Sequence, residues 1–101
     1  MAIDKDQIIH RTECIPGLVR NEVYEYKDLI YTEQYDGETG KMMYGNVTMY
    51  DNVKVCTVYV DGSINLTLPT ALAKNHKGLM WLIEDIQRLD DFLSVVVENY
   101  H

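Results

Sequence analysis

Residues 53–68 read Val-Lys-Val-Cys-Thr-Val-Tyr-Val-Asp-Gly-Ser-Ile-Asn-Leu-Thr-Leu, and this stretch decides the fold class. The first eight residues are rich in β-branched side chains, which favour a strand. Asp61-Gly62 is a dipeptide that tight hairpin turns prefer. After it, Ile64, Leu66 and Leu68 alternate with polar residues, as on a half-buried strand. The stretch therefore predicts an antiparallel hairpin.

The same pattern of strands and turns extends toward the N-terminus. Residues 42–50 are typical of a strand, and the polar residues 36–40, which include two glycines, have the length of a hairpin loop. Asp51-Asn52 is a candidate two-residue turn, and the alternation slips near Lys27-Asp28, which indicates a bulge or a turn. Between residue 19 and residue 68 the sequence therefore predicts an antiparallel meander of about four or five strands.

The N-terminal segment has helix signals. Asp4 and Gln7 have the spacing of a capping box, in which an N-cap side chain and a residue three positions later satisfy each other's backbone. Pro16-Gly17 would end such a segment. The sequence predicts a helix over about residues 5–14.

The C-terminal third has helical periodicity. Residues 71–74 favour a short helix, and a longer one is expected from Leu79 onward. A strand over residues 92–100 is the alternative, because Val95-Val96-Val97 is β-branched. We expect a helix, with Trp81 in its buried surface and the C-terminal helices packed on one face of the sheet, because apolar residues keep a spacing of three and four. These residues are Leu79, Leu82, Ile83, Ile86, Leu89, Leu93, Val96, Val97 and Tyr100.

Length and composition limit the class of protein. The 101 residues, of which 47% are hydrophobic, fit a single α+β domain spanning residues 1–101. Nine basic residues against sixteen acidic ones give a net charge of −7, which disfavours direct binding to nucleic acid. No apolar run is long enough to span a membrane, and the first residues lack the features of a signal peptide. We expect a cytoplasmic protein.

Nothing in the sequence predicts an enzyme, a metal site or a cofactor. The two cysteines, Cys14 and Cys56, are expected to be reduced and buried. His10 and Cys14 would share a helix face, but no second ligand pair accompanies them. Residues 37–41 lack the spacing of a phosphate-binding loop. No nucleophile, base and orienting group converge, so no catalytic residue is assigned.

The tyrosines are the most suggestive feature. Seven of the eight lie from Tyr24 to Tyr59. Tyr44 and Tyr50 have the strand parity opposite to that of Met43, Val47 and Met49, so they would lie on an uncovered face, where tyrosine is well suited to binding. The alternative is that the rings only cover the second face of the sheet. The predicted partner-binding residues are Tyr24, Tyr26, Tyr44, Tyr50, Glu25, Asp36 and Glu38.

These observations favour a non-enzymatic, acidic interaction protein. It would dock on the basic surface of a protein partner, such as a nucleic-acid-binding protein, and could act as an inhibitor, by analogy of size and charge alone with small bacteriophage inhibitors. The alternative is an oligomeric protein that binds a small ligand in tyrosine-lined grooves. In either case a homodimer is expected, because a meander has exposed edge strands that a second copy can pair.

Overall fold

A computed structural model describes residues 3–68 and 73–101. The chain divides into a sheet unit, Ile8–Thr67, and a helix unit that comprises the residues up to Gln7 and those from Leu68 onward. Within these described residues, one 3-10 turn, Lys5–Gln7, precedes six strands and one helix. The strands are β1 (Ile9–Ile15), β2 (Val19–Tyr26), β3 (Leu29–Asp36), β4 (Met42–Met49), β5 (Val53–Tyr59) and β6 (Ile64–Leu66), and the helix is α1 (His76–Tyr100).

The six strands form one sheet in the order β1-β2-β3-β4-β5-β6. Every neighbouring pair is antiparallel, so the sheet is a meander. The predicted α+β class and the antiparallel meander are confirmed. The number of strands was underestimated, because the N-terminal segment adds β1.

The predicted helix over residues 5–14 is wrong. Asp4 does cap a turn, since its Oδ1 accepts a hydrogen bond from the backbone N–H of Asp6 at 3.0 Å, but that turn ends at Gln7. Ile9–Ile15 forms β1 instead, because Pro16-Gly17 reverses the chain and gives β1 a backbone partner in β2. Gly17 has φ +77°, and Ile15 O accepts from the N–H of Leu18 at 3.0 Å, as expected when proline and glycine occupy the centre of a tight turn.

Two irregularities determine which side chains share a face of the sheet. The register between β3 and β4 shifts at Gln34/Tyr35, and the register between β4 and β5 shifts at Val47/Thr48. Each shift adds one residue to one strand of the pair, so the simple alternation of faces breaks there. The predicted slip at Lys27-Asp28 is a turn, in which Lys27 has φ +53°.

The C-terminal region forms one long helix within the described residues. Asn75 is its N-cap, and its side chain accepts a hydrogen bond from the N–H of Gly78 at 2.9 Å. Residues 92–100 are helical, as the periodicity predicts, and the strand alternative is wrong. Of the separate helix expected at residues 71–74, Ala71 and Leu72 lie outside the described residues, and the next two residues are not helical. Trp81 is 58% exposed rather than buried.

Candidate functional site

The register of the sheet places one row of large side chains on a shared face. Tyr24 pairs with Tyr31, Tyr31 with Val47, and Val47 with Cys56. Directly opposed residues of adjacent strands point to the same side, and each of these four is at most 3% exposed. We call this side the buried face; its fully covered members are Tyr24, Leu29, Tyr31, Glu33, Val47, Met49 and Cys56.

The opposite side of the sheet is polar and partly open. Asn21 pairs with Gln34, Gln34 with Tyr44, and Tyr44 with Tyr59, which is 43% exposed. A second row on this side runs from Val23, which is only 2% exposed, through Thr32 and Asn46 to Thr57. We call this side the polar face; its uncharged polar members are Asn21, Thr32, Gln34, Tyr44, Asn46, Thr57 and Tyr59.

The four predicted tyrosines do not form one surface. Tyr24 is only 3% exposed and lies on the buried face, and Tyr26 has the same strand parity. Tyr44 lies on the polar face, as its parity predicts. Tyr50 follows the last residue of β4 and lies in the turn, with φ +50°. Strand pairing therefore sends Tyr24 and Tyr44 to opposite sides of the sheet.

The three predicted acidic residues lie on β2, at the end of β3 and on the loop after it. Glu25 pairs with Ile30 and has the parity of that face, at its β2 side. Asp36 ends β3, and its Oδ1 accepts from the backbone N–H groups of Glu38 at 2.8 Å and Thr39 at 3.0 Å. The N–H of Thr39 first, and then that of Glu38, lowers the pKa of Asp36 below its ordinary value. Glu38 itself is exposed on the loop.

Glu33 is a buried carboxyl group that the sequence analysis did not single out. It is 0% exposed and accepts hydrogen bonds from the hydroxyls of Tyr31 at 3.0 Å and Tyr35 at 3.4 Å. Tyr24 also hydrogen-bonds to it. A sequence signal does exist, since Glu33 occupies the same alternating positions as the apolar Leu29 and Tyr31.

Burial and the carboxylate together keep these tyrosines protonated. For Tyr24 and Tyr31, desolvation is the main cause of a pKa raised above the ordinary value, and the negative charge of Glu33 adds to it. The pKa of Tyr35 is raised for the same reasons. Their hydroxyls are therefore donors throughout the neutral range, which suits a buried acceptor.

Gly45 lies beside this cluster and leaves space for the ring of Tyr31. It pairs with Glu33 across the sheet, and the ring of Tyr31 lies over it. A Cβ atom at position 45 would lie 2.6 Å from Tyr31 Cε1 and 2.8 Å from its hydroxyl oxygen. Only glycine therefore lets Tyr31 lie across β4 and reach Glu33.

A second acid, Glu22, lies at the edge of the buried face. His10 Nε2 lies 2.5 Å from Glu22 Oε2, and the hydroxyl of Thr12 donates to the same oxygen at 2.8 Å. Arg20 Nε lies 3.5 Å from the other oxygen. Burial by itself would raise the pKa of Glu22, but the hydrogen bonds from His10 and Thr12, with the charges of His10 and Arg20, lower it below the ordinary value.

Aromatic contacts connect the side chains around Glu22 with the tyrosines around Glu33. The imidazole of His10 stacks on Tyr24 with a centroid distance of 4.6 Å, and the guanidinium of Arg20 lies 4.4 Å from the centre of the Tyr35 ring. The contacts stabilise the sheet, and the carboxyl group of Glu33 is buried among them rather than open to a substrate.

The remaining candidates for chemistry are separated. His10 and Cys14 lie on a strand rather than a helix, where four residues span about 13 Å, too far for a hydrogen bond. Cys14 is exposed, contrary to prediction, and Cys56 is buried, which raises the pKa of its thiol. Within residues 3–68 and 73–101, no three His, Cys, Asp or Glu side chains are grouped to hold a metal ion.

One small cavity lies at the end of the sheet where β1 turns into β2. Its volume is about 180 Å³, below the roughly 300 Å³ at which ordinary ligand pockets begin. Cys14, Arg20 and Asp36 contribute its polar lining, and none of its lining residues is a tyrosine. It is not the tyrosine-lined groove that a ligand-binding function would need.

Comparison with known proteins adds no further information about function. No protein-family model, no curated protein and no solved structure matches this chain. Among the helices that the structure describes, none is long and apolar enough to cross a membrane.

Proposed function

We propose that this protein is a small acidic interaction module that docks on a basic protein surface through the polar face of its sheet. The proposal rests on the different exposure of the tyrosine side chains on the two faces of the sheet. Tyr24 and Tyr31 on the buried face are at most 3% exposed, whereas the polar face leaves Tyr59 43% exposed and Tyr44 beside it partly accessible.

The composition of the polar face suits protein recognition. Tyrosine offers a large contact area and a hydrogen-bonding tip with few rotatable bonds, and amide and hydroxyl side chains adapt to a partner's polar groups. Tyr44 and Tyr59 are cross-strand neighbours, and Gln34 lies directly beside Tyr44 on β3. The side-chain oxygen of Asn21, in the same row, has no hydrogen-bond partner although it is buried.

Charge supports a basic partner. The protein carries a net charge of −7; Glu25 has the parity of the polar face, Asp36 ends β3, and Glu38 is exposed on the loop that follows. Opposite charge on a partner would accelerate encounter and suppress wrong partners. If that partner is a nucleic-acid-binding protein, occupancy of its basic surface would exclude the phosphate backbone, and the module would act as an inhibitor. A cytoplasmic location is part of this proposal.

The experiment is affinity capture from lysate with matched tyrosine variants. The immobilised protein should retain a basic partner at low salt and release it at about 0.5 M salt, because screening weakens charge attraction. Tyr44→Ala should reduce retention several-fold, with little change in the thermal midpoint of unfolding. Tyr100→Ala, which removes a tyrosine from α1 that is 37% exposed, is the matched control and should capture normally.

Two results would contradict the proposal. One is retention that does not depend on salt. The other is a Tyr44→Ala variant that folds normally and captures the same partner as well as the unmodified protein. Tyr50→Ala tests whether the turn after β4 also contributes, as the sequence analysis expects.

A further inference from the structure

The first strand forms one long edge of the sheet. Among the strands formed by the described residues, β1 pairs with β2 alone, and all seven of its residues are exposed. The opposite edge is β6, which has only three residues. An edge strand directs alternate backbone N–H and C=O groups outward, and an exposed edge of this length can pair with another strand.

The sequence of β1 is complementary to itself in one antiparallel register. The strand reads Ile9-His10-Arg11-Thr12-Glu13-Cys14-Ile15. If two copies run antiparallel about Thr12, Arg11 lies opposite the partner subunit's Glu13, and Glu13 opposite the partner subunit's Arg11. The end residues also match, because Ile9 lies opposite the partner subunit's Ile15.

Neighbouring registers are disfavoured by charge. A slip of two residues, which keeps the same faces together, places either Arg11 opposite its own copy or Glu13 opposite its own copy. Like charges directly opposite each other destabilise a strand pair, whereas opposite charges stabilise it. A slip of one residue would pair each side chain of β1 with a residue from the other face of the second copy's strand. The register about Thr12 is therefore selected both by apolar pairing at its ends and by charge at its centre.

We propose that β1 pairs with β1 of a second copy of this chain, antiparallel and centred on Thr12, so that the two sheets become one. The contact is two-fold symmetric and closes on itself, unlike a contact between β1 and a second copy's β6, which would continue into a filament. This gives the expected homodimer a specific interface, and it does not depend on the function proposed above. One strand pair is a small interface, so we expect a dissociation constant on the order of micromolar.

A charge swap tests the register. Glu13→Arg places like charges opposite each other on both sides of the two-fold axis and should weaken the dimer by about tenfold or more. The double variant Arg11→Glu/Glu13→Arg restores opposite charges and should recover most of the affinity. Sedimentation equilibrium gives the dissociation constants, and circular dichroism confirms that each variant folds.

A cysteine placed on the two-fold axis is an independent test. Thr12→Cys in a Cys14→Ser background should form a disulfide-linked dimer under mild oxidation, because directly opposed residues of paired strands lie within the Cα separation that a disulfide spans. Thr39→Cys in the same background, in the exposed loop before β4, is the control and should crosslink far less.

The proposal is overturned by a chain that is monomeric at about 100 μM. It is also overturned by a double charge variant that stays as weak as Glu13→Arg, or by equal crosslinking at positions 12 and 39. Large, open-ended assemblies would point to pairing between β1 and β6 and would overturn it as well. Tyr44→Ala should leave the dimer intact, so this test and that of the proposed function can fail separately.

Discussion

The two faces of the sheet use tyrosine in different ways. On the buried face, the Tyr31 hydroxyl donates to an enclosed carboxyl group, and its ring lies over a glycine. On the polar face, Tyr44 and Tyr59 lie side by side with part of their surface open. The same residue type is therefore enclosed on one side of the sheet and partly open to solvent on the other, depending on strand parity.

The two faces differ in how much stability is lost when a tyrosine hydroxyl is removed. A buried hydroxyl leaves an unsatisfied acceptor when it is deleted, whereas a hydroxyl with access to solvent is replaced by water. Mutations on the buried face should therefore change the free energy of unfolding, and those on the polar face should mainly change binding.

The largest effect is expected at Glu33. Glu33→Ala removes the acceptor of the tyrosine hydroxyls and leaves a cavity, which should lower the free energy of unfolding by about 3 to 5 kcal/mol. Urea denaturation measures this value. Glu33→Gln keeps one oxygen acceptor and should cost clearly less. A loss below about 1 kcal/mol for the alanine variant would contradict the enclosed site described here.

A matched pair of hydroxyl deletions compares the two faces directly. Tyr31→Phe should cost about 1.5 to 3 kcal/mol, because its hydroxyl bonds to a buried carboxyl group. Tyr44→Phe should change the free energy of unfolding by less than about 0.5 kcal/mol. Equal losses in the two variants, measured by urea denaturation, would remove the distinction between the faces.

Gly45→Ala tests the close approach of the Tyr31 ring. The added methyl group would lie 2.6 Å from Tyr31 Cε1, and the ring cannot move without leaving Glu33. Overpacking of this kind should cost about 1 to 3 kcal/mol. Gly40→Ala is not a suitable control, because Gly40 has φ +72° and alanine would be strained there for another reason. Ser63→Ala at an exposed position serves instead, although it removes a hydrogen bond to Asp61.

The smallest effect is a pH dependence at Glu22. Its pKa in the folded protein lies below the ordinary value of 4.5, so its contribution to stability is complete above pH 4.5 and is lost as the pH falls through the folded pKa. Glu22→Gln should therefore lose stability at neutral pH and show a shallower decline on acidification. Thermal unfolding between pH 3 and pH 7 measures both, and parallel curves for the two proteins would contradict the assignment.

The sequence predicted the C-terminal region of the sheet and the long helix well. Asp61-Gly62 and the alternation after it are local signals, and so is the spacing of apolar residues over three and four positions in α1. The N-terminal region was predicted wrongly, because Asp4 does begin a turn but β1 is stabilised by pairing with β2, a contact that propensity does not contain.

The candidate site was predictable only in part. Parity within β4 correctly placed Tyr44 on the face of the sheet that Val47 does not share. The faces of two different strands cannot be related, however, until their register is known. Tyr24 was therefore grouped with Tyr44, although pairing with Tyr31 places it on the buried face. Glu33 was overlooked because a charged residue in a strand is ordinarily solvated.

By itself the sequence determined the acidic charge, the α+β class, the meander and the extent of most of the long helix, because composition, turn chemistry and periodicity are properties of neighbouring residues. Only the tertiary structure decided that Ile9–Ile15 is an edge strand, which tyrosines are enclosed, and that Glu33 lies among their hydroxyls. These features depend on strand register and on two bulges, which bring together residues that are distant in sequence.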